Sequence, residues 1–416
     1  MDKSVKDTIL NIMKSTTDIA IIGGGLTGSL MAMAAANNGF SVSIIDATGA
    51  KKRKDPDFDG RSYAMAMASG RMLKALGLWV DLETGAQPIH DIKVTDGAVG
   101  EQPSPFFLHF DKYGLDEGPM GHMIEDRHLR STIQRRLLDT KNITYLGGRR
   151  VDKQTTQTTT SMLTLDDGGQ VHARLVICAD GRNSPSAKRA GVTYTGWNYS
   201  QSALVCALEH EYSHNGFAYQ HFMPPGPLAI LPLKDNRCSI VWTETAENAR
   251  SIMAMNKGAY LDVLRPRFGD FLGEIKLVGE RFFYPLDMSI ANSFIAERIA
   301  VIGDAAHGMH PIAGQGLNAG MRDIAALAQL CQEAKDRGED FGSQAVLARY
   351  QEWRRFDATA LTLTVDALNR LFSNDNSMLR NLRTIGMGVV NLLPSIKRTF
   401  IREAAGVRGN LPDLMR

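Results

Sequence analysis

The apolar pattern at the start of the chain predicts a buried strand, a helix and a second buried strand. Residues 18–22 are mainly apolar and precede a glycine-rich turn. Residues 26–38 are rich in alanine and methionine and carry no charge, and residues 41–46 form a second largely apolar run that ends at Asp46. Short apolar runs of this kind are typical of strands that are buried on both faces, so the pattern predicts a βαβ unit.

The rest of the pattern switches between helical and strand-like segments. Helical spacing predicts helices over residues 61–78 and 124–138, and it dominates from residue 316 onward. Strand composition predicts the following β segments: 155–164 with a tight hairpin turn at 166–169, a strand at 175–178, and a β region over 202–243 interrupted by a turn at 224–227. The mixture predicts an α/β protein.

Composition narrows the class of protein. With 416 residues, 44% of them hydrophobic, the chain can form two or three domains, and its net charge of +2 gives no basic surface for nucleic acid. The four cysteines are far apart, which indicates reduced, buried thiols. Residues 1–16 lack the apolar core of a signal peptide, and no run approaches the roughly 20 apolar residues of a spanning helix. We therefore expect a cytoplasmic protein.

The turn after the first strand carries a dinucleotide-binding motif, Gly23-Gly24-Gly25-Leu26-Thr27-Gly28. Its glycines permit a tight turn and close approach of the backbone to a pyrophosphate, which the N-terminus of the following helix attracts. Asp46, at the end of the next strand, would accept hydrogen bonds from the adenosine ribose hydroxyls. This motif alone leaves NAD and FAD open.

A second glycine motif, nearly three hundred residues later, favours FAD. Gly303 and Asp304 follow a predicted strand at 298–302. An aspartate at the carboxyl end of a strand would meet a polyol such as the ribityl chain. The next helix is predicted to begin at 314–316, where its partial positive charge suits a reduced, anionic flavin.

Metal binding is the competing interpretation of the histidines. His307 and His310 are three residues apart on a glycine- and proline-rich loop with no nearby cluster of carboxylates or thiols, and His210 and His214 lie in a strand-like region. Zinc sites need more ligands than either pair supplies. The sequence predicts no metal site.

At these residues the chain resembles the FAD-dependent aromatic hydroxylases, and more narrowly the polyprenylphenol hydroxylases of ubiquinone biosynthesis. The wider resemblance rests on the two glycine motifs and on Asp180-Gly181. The narrower one rests on these strings: Asp59-Gly60-Arg61, Leu76-Gly77-Leu78-Trp79, Ala86-Gln87-Pro88-Ile89, and residues 226–233 and 303–318. It covers residues 17–408. The chain departs from the pattern at Asp46, where relatives often have glutamate, and at residues 64–69.

The resemblance implies a Rossmann-like FAD-binding domain of the class A flavin monooxygenase type, with an inserted, mostly β substrate domain and a helical C-terminal segment. The expected bounds are 17–84, 119–190 and 286–345 for the FAD-binding domain, 85–118 and 191–285 for the substrate domain, and 346–416 for the C-terminal region. Aromatic residues of the substrate domain are expected in an apolar pocket or in the core: Trp197, Phe217, Tyr219, Phe222 and Trp242.

The same resemblance assigns cofactor contacts. Arg61 is expected near the pyrophosphate and the mobile edge of the flavin, Arg127 on the adenosine side, and Asp180 near the pyrophosphate. Asp304 is expected to bind the ribityl chain. The residues expected to border the isoalloxazine are Pro311, Gly314, Gln315, Gly316, Leu317 and Asn318.

The implied reaction is the hydroxylation of a polyprenylphenol by O₂ through a flavin C4a-hydroperoxide, with NAD(P)H or another electron donor as reductant. Tyr219, His221 and His307 are candidate bases by residue type, and no catalytic residue is assigned. Two alternatives keep the flavin site: a reductase or dehydrogenase of a polyprenyl lipid, and a non-catalytic flavoprotein scaffold in a quinone-synthesis complex. Other ubiquinone-synthesis enzymes are candidate partners.

The C-terminal segment over 379–402 interleaves apolar and basic residues. This composition predicts peripheral contact with the inner face of a membrane. A helix packed on the core or in a subunit interface is the alternative, because Gly386, Gly388 and Pro394 interrupt the apolar stripe.

Overall fold

The computed structural model describes residues 14–49, 57, 59–100, 107–111, 118–373 and 393–416. Its strands are β1 (Lys14–Ile22), β2 (Val42–Asp46), β3 (Ser62–Ala66), β4 (Gln87–Ile89), β5 (Asp91–Asp96), β6 (Leu108–Phe110), β7 (Gly121–Glu125), β8 (Ile143–Gly147), β9 (Val151–Thr156), β10 (Ser161–Leu165), β11 (Gln170–Cys178), β12 (Tyr194–His210), β13 (Phe217–Phe222), β14 (Leu228–Leu233), β15 (Arg237–Thr245), β16 (Ile275–Ala291), β17 (Ile295–Ala296), β18 (Ile299–Val301) and β19 (His307–Gly308). Its α-helices are α1 (Leu26–Asn37), α2 (Met67–Ala75), α3 (Trp79–Leu82), α4 (Asp126–Asp139), α5 (Pro185–Arg189), α6 (Ala246–Met253), α7 (Lys257–Phe268), α8 (Gln315–Asp336), α9 (Gln344–Phe372) and α10 (Pro394–Ala404).

The first sheet has the order β17-β18-β11-β1-β2-β8, with β10 also paired to β11 and β9 paired to β10. The pairs β18–β11, β11–β1, β1–β2 and β2–β8 are parallel. The predicted βαβ unit is confirmed as β1-α1-β2. The apolar runs in these strands are buried because helices α1 and α8 share one core with them, in which Ile21, Leu30 and Ile324 are fully buried.

The second sheet is mainly antiparallel, with the order β19-β16-β12-β15-β14-β13-β5-β6. One of its faces packs against α6 and α7, where Trp242 and Tyr260 are buried in a separate core. A small third sheet has the order β3-β7-β4. The predicted β region and the interrupting turn at 224–227 are therefore both present.

The prediction of a helix over 61–78 is wrong for its first part. Residues 62–66 form β3, which pairs antiparallel with β7, and the helix α2 covers Met67–Ala75 alone. The predicted helix over 124–138 likewise begins at Asp126, after β7. Alanine and methionine favour helix locally, but pairing between segments about sixty residues apart overrides that preference.

The C-terminal helices return to the body of the molecule. Ile401 of α10 is buried in a cluster with Met120 and Ile89, and Lys397 forms a 2.8 Å ion pair with Asp111. Within the described ranges, no helix is both long enough and apolar enough to cross a bilayer. Residues 379–392 of the predicted membrane-contacting segment lie outside the described residues.

Candidate functional site

Four sequence motifs meet at one edge of the first sheet. The neighbouring strands β18, β11, β1 and β2 are parallel, so their carboxyl ends lie side by side. These ends carry Asp304, Asp180, Gly23 and Asp46 in that order across the sheet. Open α/β sheets bind ligands at this edge. Motifs separated by nearly three hundred residues in the chain are thus brought to one place.

The glycine turn after β1 is built by close backbone contacts. A Cβ atom on Gly28 would lie 1.9 Å from the Gly23 carbonyl oxygen, and one on Gly24 would lie 2.6 Å from Oδ2 of Asp46. Gly25 differs, because a Cβ atom there would meet nothing within 4 Å. Gly25 also caps α1 without a side-chain hydrogen bond and borders a large cavity together with Leu26 and Thr27. The turn therefore presents an open cradle at a helix N-terminus, as a pyrophosphate requires.

Asp46 is buried beside this cradle. Its carboxylate accepts hydrogen bonds from the Tyr145 hydroxyl at 2.7 Å and from the Thr48 backbone N–H at 3.1 Å. Tyr145 lies on β8, the next strand of the sheet. These contacts fix the carboxylate at the strand end. Asp46 is not among the described residues that line the cavity, and its predicted ribose contact stays a prediction.

The second motif touches the first directly. A Cβ atom on Gly303 would lie 2.8 Å from Cγ2 of Thr27. Asp304 borders the cavity, is half-exposed, and lies 3.6 Å from Nε of Arg182. Arg182 also donates to the Met309 carbonyl at 2.8 Å, so it joins the Asp304 turn to the loop that follows.

A buried ionic network supports the Gly303 turn from behind. Asp323 of α8 accepts hydrogen bonds from Gly303 N–H at 3.0 Å, His307 Nε2 at 2.6 Å and Arg354 Nε at 2.9 Å. Complete burial favours the protonated acid, but the charges of His307 and Arg354 and the hydrogen bonds outweigh it, so the pKa of Asp323 lies below its ordinary value. In the sequence, Asp323 is distinguished only by its position on the predicted helix that follows the glycine motif at 314–318.

The start of α8 is fastened to the segment after the Asp59-Gly60-Arg61 string. Gly314 adopts a left-handed conformation with φ 61°, which favours glycine. Oδ1 of Asn318 accepts from Ala66 N–H at 2.9 Å and from the Ser69 hydroxyl at 2.7 Å, and its Nδ2 donates to the Ala64 carbonyl at 2.9 Å. The cavity is lined here by Pro311, Ile312, Gly314, Gln315, Gly316, Leu317 and Asn318.

The two predicted arginines have different surroundings. Arg61 borders the cavity between Asp59 at 2.6 Å and Asp126 at 3.2 Å. Arg127 is not among the residues that line the cavity, and its Nε donates to Glu125 at 2.7 Å. One helical turn along α4, Arg130 does line it. The sequence did not distinguish Arg130 from Arg127, because both are arginines on the same predicted helix.

Asp180 stands near the glycine turn but is engaged locally. A Cβ atom on Gly23 would lie 2.8 Å from the Asp180 backbone nitrogen, so the two turns are in contact. The Asp180 carboxylate accepts hydrogen bonds from the Ser184 hydroxyl and from Ser186 N–H, at the start of α5. It is not among the described residues that line the cavity, and its predicted pyrophosphate contact stays a prediction.

One cavity of about 1470 Å³ joins the strand-end edge to the second sheet. Its cofactor-facing end is lined by the polar and glycine residues described above. Its other end is apolar, and it is lined from the second sheet by Ile92, Val94, Leu108, Phe110, Ala218, Phe222, Ala229, Leu231 and Val241, and from α9 and α10 by Leu361, Val365, Leu368, Leu371, Phe372 and Phe400. The site can therefore hold a dinucleotide against a long apolar ligand.

The predicted pocket aromatics divide between cavity and core. Tyr219 and Phe222 line the cavity, whereas Trp242 is buried in the core under α6 and α7. The candidate base His221 shares a 2.5 Å hydrogen bond with Thr95, and burial lowers its pKa to about 4. The candidate base His307 is fully buried against Asp323. Among the described residues, no group of three or more His, Cys, Asp or Glu could hold a metal ion.

Known proteins resemble this chain in both sequence and fold. The family described as FAD binding domain matches residues 16–364. Ubiquinone hydroxylase UbiL of Rhodospirillum rubrum is 43% identical over 94% of this chain and 89% of its own length. The 3-demethoxyubiquinol 3-hydroxylase of Escherichia coli is 31% identical over 94% of this chain and 99% of its own. The crystal structure of p-nitrophenol 4-monooxygenase PnpA from Pseudomonas putida shares the fold, with TM-score 0.77 at 19% identity over 95% of this chain and 100% of that one.

Proposed function

Because this chain belongs to the FAD-dependent aromatic hydroxylases of ubiquinone biosynthesis, we propose that it hydroxylates the ring of a polyprenylphenol intermediate. The family predicted from the motifs is confirmed, and the protein is an FAD-dependent monooxygenase. The observation that carries the proposed substrate is that one continuous cavity runs from the glycine cradle to a long apolar wall. An aromatic head at the flavin and a prenyl tail along that wall fit these two ends.

The residues at the strand-end edge fit FAD. The cradle at Gly25 would take the pyrophosphate, Asp46 the adenosine ribose, Asp304 the ribityl chain, and Gly314–Gly316 the flavin ring. When bound and reduced by NAD(P)H or another electron donor, FAD supplies the activation of O₂. The chain itself orients the ring and excludes water from the apolar end.

We propose the domain division that the family resemblance implies. The strands of the first sheet come from residues 14–178 and 295–301, and those of the second sheet come mainly from 91–110 and 194–291. The first set carries the proposed cofactor contacts and the second the apolar wall. This separation supports a discontinuous FAD-binding domain with an inserted substrate domain.

The proposed ribityl contact predicts that Asp304→Ala weakens FAD binding more than Asp180→Ala does. A charge-assisted hydrogen bond contributes about 1.5–3 kcal/mol, which corresponds to a roughly 10- to 150-fold rise in the Kd for FAD. Asp180→Ala removes local contacts with Ser184 and Ser186, so it should lower the thermal midpoint and raise the Kd for FAD less than Asp304→Ala does. Flavin fluorescence titration of both apoproteins measures the two values. Equal Kd values for the two variants would show that Asp304 does not contact the cofactor.

The substrate proposal is tested by lipid analysis of a strain that lacks the gene. Mass spectrometry of its quinone intermediates should show a polyprenylphenol that lacks one ring oxygen, and its structure would identify the ring position. The wild-type gene should remove this intermediate, and a variant that cannot bind FAD should not. Normal ubiquinone with no accumulated phenol would contradict the proposal.

We also propose that the mouth of the apolar end faces a membrane surface. Leu371 of α9 and Phe400 of α10 line the cavity and are also 40% and 49% exposed. Arg398 and Arg402, two residues before and two residues after Phe400 in α10, are also exposed. Exposed apolar and basic groups together bind anionic interfaces, and a prenyl lipid could then pass from the bilayer into the cavity.

The membrane proposal predicts that the double change Leu371→Asp and Phe400→Asp weakens binding to anionic vesicles. Two buried apolar contacts of this size contribute about 1.5–3 kcal/mol each, so we expect binding to fall at least roughly tenfold. Co-sedimentation with phosphatidylglycerol vesicles measures it. Phe356→Asp is the control, because Phe356 is 78% exposed on α9 and does not line the cavity. Unchanged binding in the double variant, or an equal loss in the control, would contradict the proposed mouth.

A further inference from the structure

One row of side chains crosses the second sheet along the cavity wall. In the strand register Gln220 of β13 stands between Val94 of β5 and Ala229 of β14, and Ala229 in turn pairs with Val241 of β15. All four residues line the cavity. Directly opposed residues in neighbouring strands have Cβ atoms about 5 Å apart, so Gln220 is flanked closely by apolar side chains. A primary amide is therefore set into an otherwise apolar part of the wall.

The amide of Gln220 has no hydrogen-bond partner among the described residues. Two other polar side chains that line the cavity, Thr364 and Tyr219, have contacts of their own. The Thr364 hydroxyl of α9 donates to the Ala360 carbonyl at 2.8 Å, within its own helix. Tyr219 packs its ring against Phe271, with centroids 4.6 Å apart. An amide that a ligand would cut off from water needs a partner on that ligand, because an unsatisfied polar group is costly.

We propose that Gln220 binds an oxygen substituent of the substrate's aromatic ring and so determines which ring the site accepts. The inference rests on the proposed polyprenylphenol substrate. An amide can donate to a phenol or methoxy oxygen and accept from a phenol O–H, whereas the neighbours Val94, Ala229 and Val241 contact only apolar ring edges. One hydrogen bond in an apolar surround fixes the rotation of a flat ring within its plane. That rotation decides which carbon faces the flavin end of the cavity.

The test compares two ligands in the FAD-loaded enzyme. One is a short-chain prenylated phenol, and the other is its analogue with a methyl group in place of the hydroxyl. Ligand titrations followed by the flavin absorbance spectrum give both Kd values. We expect the wild type to prefer the phenol by roughly 10- to 100-fold. Gln220→Met, which keeps the length of the side chain, should reduce the preference to within about threefold.

The controls separate a ligand contact from a structural role. Thr364→Val and Tyr219→Phe should keep the wild-type preference for the phenol. Gln220→Met should leave the thermal midpoint unchanged or raise it, since it removes an unpartnered amide. The role of Gln220 would be overturned if Gln220→Met kept the preference for the phenol, or if Tyr219→Phe lost that preference instead. It would also be overturned if Gln220→Met lost affinity for both ligands equally and had a lower thermal midpoint. If wild type binds neither ligand, the proposed substrate is wrong as well, so the two failures are distinguishable.

Discussion

Replacing Asp323 by asparagine is expected to destabilise the protein by about 3–5 kcal/mol, because the change leaves Arg354 charged and buried without its main partner. Asp323 is fully buried and joins Arg354, His307 and the Gly303 N–H. Loss of the network should also loosen the turn that carries Asp304, so flavin content should fall. The urea midpoint of the apoprotein and the flavin-to-protein ratio of the holoenzyme measure the two effects.

A surface ion pair provides the control for this change. Glu274 lies 3.3 Å from Arg265, and both side chains are exposed. Glu274→Gln should change stability by less than about 1 kcal/mol, as exposed pairs do. If Asp323→Asn changed the stability by as little as Glu274→Gln does, the Asp323 network would not stabilise the Gly303 turn.

The stability of the protein at low pH is expected to depend on the same carboxyl group, that of Asp323. A carboxyl whose pKa is lowered in the folded state stabilises the fold above its unfolded pKa, and this stabilisation is lost as the pH falls through the folded-state pKa. The pKa of Asp323 lies below its ordinary value of 3.8 because of His307 and Arg354, which outweigh its burial. We therefore expect the wild type to lose thermal stability more steeply than Asp323→Asn below about pH 4. Parallel curves would mean that Asp323 is not charged in the folded protein.

Replacing Gly25 by valine is expected to abolish FAD binding and leave the apoprotein folded. Gly25 has φ −67° and ψ −174°, an extended conformation that valine adopts, and no atom lies within 4 Å of its Cβ position. The side chain would fill the cradle instead. We expect a rise of at least roughly 100-fold in the Kd for FAD, equivalent to about 2.7 kcal/mol.

Two matched variants distinguish the effect of filling the cradle from the effect of damaging the fold. Gly97→Val adds the same side chain where a Cβ atom also meets nothing within 4 Å, at a residue that does not line the cavity, so it should retain FAD. Gly28→Val should not fold, because its Cβ atom would lie 1.9 Å from the Gly23 carbonyl oxygen. A Gly25→Val protein that purifies with a full complement of FAD would contradict the placement of the pyrophosphate.

Local signals in the sequence predicted the cofactor end of the site. The strand, glycine turn and helix around Gly25 are set by residues that are neighbours in the chain, and the same holds for the Gly303-Asp304 turn. That the two motifs serve one cofactor was predicted from the rule that open α/β sheets bind ligands beyond the carboxyl ends of their strands. The fold shared with solved monooxygenases confirms this class of architecture.

The features that the sequence did not predict depend on contacts between segments that are far apart in the chain. Residues 62–66 form β3 because they pair with β7, and nothing in their own composition marks a strand. Asp323 was missed because its partners come from three other parts of the chain: Gly303 from the turn after β18, His307 from β19 and Arg354 from α9. The row through Gln220 depends on the register of four strands, so the position of its amide in the apolar wall could not be read from β13 alone.

The central claim, FAD-dependent hydroxylation of a polyprenylphenol, is tested most directly with ¹⁸O₂. The FAD-loaded enzyme is supplied with a short-chain prenylated phenol and a reductant under ¹⁸O₂, and the product is analysed by mass spectrometry. One ¹⁸O atom per product molecule, on the aromatic ring, is the predicted result. A product that is reduced or dehydrogenated and carries no ¹⁸O would contradict the account and identify a flavin reductase or dehydrogenase instead.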